Sequence, residues 1–166
     1  MPRCAEVIHR EWMAAPLDTV SAQFADLDHH IECQVHPKLR LEVLERRPRG
    51  ARFLQEVRLL GLRQRDIFER RIEPDGSIED RSVEGVNRGG SLSFRFSPQV
   101  VAGRAGTVVE ITIRLPLPPL IGPLLRPLLE KQVRKEVRAA ALEDKHDLES
   151  GGYPAAQRAR PARVAA

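Results

Sequence analysis

The chain has 166 residues, of which 42% are apolar and 30% charged, and its formal net charge is +4. That length suffices for one domain with its own core and no staples. Arg158, Arg160 and Arg163 carry most of the excess and leave +1 on residues 1–150, so the body lacks the basic face that a nucleic-acid-binding domain requires.

Residues 5–12 alternate loosely and predict a first strand. Ala14-Ala15-Pro16-Leu17-Asp18 then opens a helix, with proline where a missing N–H costs little. Leu17, Val20, Phe24 and Leu27 continue it at helical spacing to about Asp26. Residues 28–36 predict a second short helix, which Pro37 stops.

From Leu39 the period changes to two. Leu39, Leu41 and Val43 share one face, and Pro48-Arg49-Gly50 makes a turn. Phe53, Val57 and Leu59 share the face of the next strand, which breaks at Gly61. A highly charged strand follows and closes at Pro74-Asp75-Gly76, a strong turn signal. After residues 77–85 and a turn around Asn87-Arg88-Gly89-Gly90, Leu92, Phe94 and Phe96 alternate with Ser91, Ser93, Arg95 and Ser97. The last strand puts Val109, Ile111, Ile113 and Leu115 on one face. Clean alternation argues for an antiparallel sheet with one face covered and one wet.

The segment from Leu115 to Leu148 is the most distinctive. Its first part holds five prolines and is apolar almost all round, and its second part is an amphipathic helix. Leu129, Val133, Val137, Ala140 and Ala141 form one stripe, with charges opposite. A helix from Pro123 to Leu148 runs roughly 40 Å at about 1.5 Å per residue, long enough to cross a small sheet. Burial is the expected state of Leu115–Leu129, with a membrane-contacting gate as the alternative, because Pro123 and Pro127 weaken the first turns. The expected fold is α+β: a curved antiparallel sheet of about seven strands gripping one long C-terminal helix, with two short helices after the first strand. The domain is expected over residues 1–150, and the Arg/Ala/Pro-rich residues 151–166 are expected to be a disordered tail.

Three local patterns accompany this element order. Met13-Ala14-Ala15-Pro16-Leu17-Asp18-Thr19-Val20 opens the first helix. Val83-Glu84-Gly85, followed by Leu92-Ser93-Phe94-Arg95-Phe96, forms a hairpin, and Gly122-Pro123-Leu124-Leu125 leads into the long helix. Together they resemble the START-like helix-grip (SRPBCC) superfamily, which includes Bet v-type allergens, lipid-transfer domains, polyketide cyclases and coenzyme Q-binding proteins. The resemblance covers about residues 5–149. It implies a cavity between sheet and long helix that holds an apolar or aromatic molecule such as a lipid, a quinone or a polyketide-like aromatic.

The residues themselves support the same expectation. A curved sheet cannot lie flat on one helix, so large side chains or a ligand must fill the gap, and the chain has only five Phe, one Trp and one Tyr. The candidate lining is Phe53, Val57, Leu59, Phe94, Phe96, Ile111, Ile113, Leu125 and Leu129. A solid core built from the same residues is the competing expectation, and an accessory protein-interaction module is its functional counterpart.

Chemistry-bearing groups are sparse. His29, Cys33 and His36 share a face if the second helix runs through them, with His30 beside it, but the spacing matches no zinc motif and no fourth ligand lies nearby. No metal and no cofactor is therefore expected. In the strand holding Arg63, Arg65, Asp66, Glu69, Arg70 and Arg71, an inward arginine would anchor a carboxylate or phenolate, whereas a charged edge strand is the plainer expectation. Tyr153 falls in the predicted tail, which leaves no phenol for cyclase chemistry. No catalytic residue is assigned, and an aromatase/cyclase-type enzyme remains the alternative to a carrier. Two cysteines without a framework, and no apolar leader at the N-terminus, give a cytoplasmic expectation. A hydrophobic small molecule is the expected partner, with transient membrane-surface contact as a further possibility.

Overall fold

The described residues of the computed structural model are 4–154, and they comprise seven strands and three helices. The strands are β1 (Cys4–Met13), β2 (Arg40–Arg47), β3 (Gly50–Leu59), β4 (Leu62–Ile72), β5 (Ile78–Gly85), β6 (Ser91–Val101) and β7 (Arg104–Pro116). They form one antiparallel sheet in the order β1-β7-β6-β5-β4-β3-β2. Helices α1 (Leu17–Ala25) and α2 (Leu27–Glu32) follow β1, and α3 (Gly122–Glu149) crosses the covered face. β1 and β2 are the sheet's edges, so the charged strand β4 lies inside the sheet, not at its edge as expected.

Alternation sorts the faces as the sequence pattern predicts. Val109, Ile111, Ile113 and Leu115 of β7 are buried, and Leu92, Phe94 and Phe96 of β6 pack against the same core. From α3 the buried stripe is Val133, Val137, Ala141, Asp144 and Leu148. Phe24 of α1 closes one end, with its ring 5.6 Å from Phe94 and 5.5 Å from Phe96. A second cluster of Leu27, Ala51, Phe53 and Phe68 fills the end nearer β2.

Gly85 permits a close crossing on the inner face. Its φ of +112° excludes ordinary side chains, and a Cβ there would collide with the Arg65 carbonyl oxygen. The same spot carries an irregular register between Ile67 and Phe68 on β4.

Three further expectations fail for identifiable reasons. The second short helix stops at Glu32, because Gln34 takes a positive φ of 48° and turns the chain. His36 therefore leaves the helix, and Cys33 is exposed. The apolar segment before and inside the start of α3 is not buried: Leu120 is 94% and Leu124 87% exposed, with Ile121 and Leu128 more than half exposed. Finally, Tyr153 is not in a loose tail but buried, its ring 4.8 Å from that of His29. The rest of the predicted tail, residues 155–166, lies outside the described residues.

Candidate ligand cleft and its buried polar end

Two adjoining clefts lie between the inner face of the sheet and α3. The first, about 140 Å³, is lined by Val57, Leu59, Phe68, Leu92, Ile113, Leu115, Val133 and Val137, with Asp66, Asn87 and Glu143 among its polar members. The second, about 100 Å³, is lined by Phe24, Phe53, Phe94 and Ile111, with His30, His36, Arg70, Asp80 and Asp144 at its polar end. Leu39, Gln55, Leu92, Val137 and Ala140 line both.

Six of the nine residues named from the sequence therefore face this space: Val57, Leu59 and Ile113 in the first cleft, Phe53, Phe94 and Ile111 in the second. Phe96 and Leu129 instead pack into the core, and Leu125 is half-buried on the first turn of α3. Phe96 has the right strand parity but lies too far along β6, beneath α1. Leu125 and Leu129 have the right helical phase but precede the part of α3 that covers the clefts.

The polar groups are held tightly. Arg70 donates from Nε and Nη2 to the two oxygens of Asp80 (2.8 and 2.7 Å), and from Nη1 to the carbonyl of Phe24 at the end of α1 (2.9 Å). Its guanidinium also lies over the Phe53 ring, 5.3 Å from the centroid. The inward arginine of the sequence reading exists, but its fork is already filled. In the first cleft, buried Asp66 accepts from the backbone N–H (2.6 Å) and the side-chain amide (2.7 Å) of Asn87 in the β5–β6 turn.

A cluster of histidines and carboxylates joins α2 and the following turn to the C-terminal half of α3. His30 Nδ1 donates to the Asp26 carbonyl (2.8 Å), while its Nε2 lies 3.1 Å from Asp144 Oδ1. His36 places Nδ1 2.8 Å from Glu143 Oε2 and Nε2 3.4 Å from Asp144 Oδ1. Gln23 Nε2 donates to the same Asp144 oxygen at 3.0 Å, so three nitrogens converge on one carboxylate oxygen. His29 Nε2 pairs with Asp147 Oδ2 (2.7 Å), whereas its Nδ1 and the Gln23 Oε1 are buried without hydrogen-bond partners among the described residues.

Electrostatics follows from these contacts. Burial alone would lower the pKa of His36, but the charge of Asp144, with hydrogen bonds to Asp144 and Glu143, outweighs it and raises the value to about 9. For Asp144 burial works against ionisation, and the facing His36 charge with hydrogen bonds from His30 and His36 holds it well below the usual carboxylate range. His29, His30 and His36 were legible as a group in the sequence. Their carboxylate partners were not, because they come from a helix more than a hundred residues away.

No family model matches the chain, and no curated protein matches it in sequence. Solved structures do match in shape. TTHA0849 from Thermus thermophilus superposes with a TM-score of 0.76 at 21% identity, over 88% of this chain and 98% of that one. The Zhui aromatase/cyclase from Streptomyces sp. R1128 gives 0.69 at 19% identity, over 98% of this chain and 100% of that one. A START superfamily protein from Mycobacterium smegmatis gives 0.65 at 18% identity, over 87% and 98%. The chain therefore has the START-like helix-grip fold.

Proposed function

We propose that this protein binds a small hydrophobic molecule between the sheet and α3 and acts as a carrier for it. The observation that carries this reading is the pair of adjoining, mostly apolar clefts beneath α3. An apolar cavity of about 150 Å³ holds one benzene ring, so the first cleft takes about one ring and the smaller second a short acyl segment or the edge of a second ring. A single ring, a fused pair or a short chain suits this space better than a long lipid. The helix-grip neighbours, an aromatase/cyclase among them, support an apolar or aromatic class of ligand.

An enzyme acting on an aromatic ligand is the second reading. It is favoured by the titratable groups at the polar end of the second cleft, His30, His36 and Asp144. Transient contact with a membrane belongs to the carrier reading and draws support from the exposed Leu120 and Leu124. Among the described residues no helix is long and apolar enough to cross a membrane.

Ala140 lines both clefts, so Ala140→Phe fills them from the helix side. Native mass spectrometry of freshly purified protein should reveal a bound apolar molecule identifiable after extraction. Anilinonaphthalene sulfonate should bind the wild type and lose at least about tenfold in affinity, ~1.4 kcal/mol, in the variant. A bare mass from a lipid-rich host, together with equal dye affinity in both proteins, would refute the reading.

A further inference from the structure

We propose that His30, His36 and Asp144 form a binding site for a divalent first-row transition metal of the zinc class. One ligand atom from each of the three lies within 4.8 Å of the other two. Two of the separations are known more closely: Nε2 of His30 and of His36 lie 3.1 and 3.4 Å from Asp144 Oδ1. Ligands 2.0–2.1 Å from a tetrahedral zinc sit about 3.3 Å apart. Each imidazole thus stands from the carboxylate oxygen at the spacing that a single ion imposes.

The surrounding bonds strengthen the case. A metal-ligating histidine typically donates its remote N–H to a carboxylate or a backbone carbonyl, which fixes the tautomer and aims the other nitrogen. Both histidines do so here: His30 Nδ1 on the Asp26 carbonyl and His36 Nδ1 on Glu143, each at 2.8 Å. The remaining nitrogen of each ring faces Asp144. All four ring nitrogens therefore meet oxygen atoms. A divalent cation between the two Nε2 atoms and Asp144 Oδ1 would take the place of these inner contacts.

The site has both access and room. His30 and His36 line the inner cleft on one side and, on the other, an open surface groove with Gln34, Pro37 and Arg40. Three protein ligands with free space beside them match zinc sites that keep a coordination position open, as opposed to closed structural ones. Spacing along the chain hides the site, since its carboxylate comes from α3. Cys33, which the sequence places nearest, is exposed and takes no part. The proposal stands apart from the hydrophobic-ligand reading and survives its failure.

The test uses the full chain, stripped with a chelator and titrated with Zn²⁺ by calorimetry and with Co²⁺ by visible absorption. One ion per chain is expected, with the intense Co²⁺ bands of four- or five-coordinate geometry. His36→Asn should abolish binding, and Cys33→Ser should leave it unchanged. Glu143→Gln, which loosens only the support of His36, should weaken binding by about 10–100-fold. If His36→Asn fails to fold, the wild-type cobalt spectrum and the Glu143→Gln titration decide. Absent binding, binding that persists in His36→Asn, or weak six-coordinate Co²⁺ bands would each overturn the assignment.

Discussion

Arg70 is a charged side chain held almost wholly out of water, and its environment determines what its loss would do. The side chains of Arg70 and Asp80 are 6% and 3% exposed, and the pair is bidentate. Removing one partner of such a pair strands the other charge and costs about 3–5 kcal/mol, whereas replacing both with apolar groups costs far less. Asp80→Ala should therefore lower unfolding stability by about 3–5 kcal/mol in urea titrations. The double variant Arg70→Met/Asp80→Leu should recover most of that, short of the bond to the Phe24 carbonyl. A double variant as unstable as the single would show that the pair itself does not dominate. The strand's position was hard to read from its composition, because both faces of β4 carry charge. The partner was within reach: the turn at Pro74-Asp75-Gly76 sets Arg70 opposite Asp80.

Along α3 the two halves behave as different materials. Val133, Val137 and Ala141 of the buried stripe follow helical periodicity and were legible, whereas Asp144 is a charged residue on an apolar face that the pattern had no reason to place inside. The leucines before it were misjudged because hydrophobicity cannot say where the sheet beneath a helix ends. Leu120, Leu124 and Leu128 project past that support. Replacing all three with serine should change stability by no more than about 1.5 kcal/mol, about 0.5 for each, whereas Leu148→Ala should cost about 2–5 kcal/mol. Thermal or urea unfolding separates the two cases. If these leucines touch membranes, the triple variant should also slow transfer of bound dye to vesicles. A large loss of stability in the triple variant would mean that the segment is packed after all.

At the scale of the molecule, α3 is anchored at one end and open at the other. Lys145 reaches Glu11 of β1 (3.0 Å), and Glu149 Oε1 accepts the backbone N–H of Ala14 (2.9 Å). The histidine–carboxylate cluster ties Glu143, Asp144 and Asp147 to α1 and α2, and Tyr153 stacks edge-on against His29 beyond the helix end. The first turns have exposed side chains, no side-chain cap, and Pro127 inside the helix, which lacks the donor for one backbone bond. Local opening follows burial and contact density, so amide exchange should be graded along this one helix. Amides over residues 141–149 should exchange only near the global unfolding free energy, and those over 122–130 far sooner. The clefts lie beneath the middle of α3, so a bound aromatic dye should slow exchange around residues 133–140 first. The free end would then be the way in, because moving it breaks none of the anchoring bonds. Uniform protection from 122 to 149, unchanged by dye, would mean that the first turns of α3 do not open and that a ligand enters by the groove beside His36 instead.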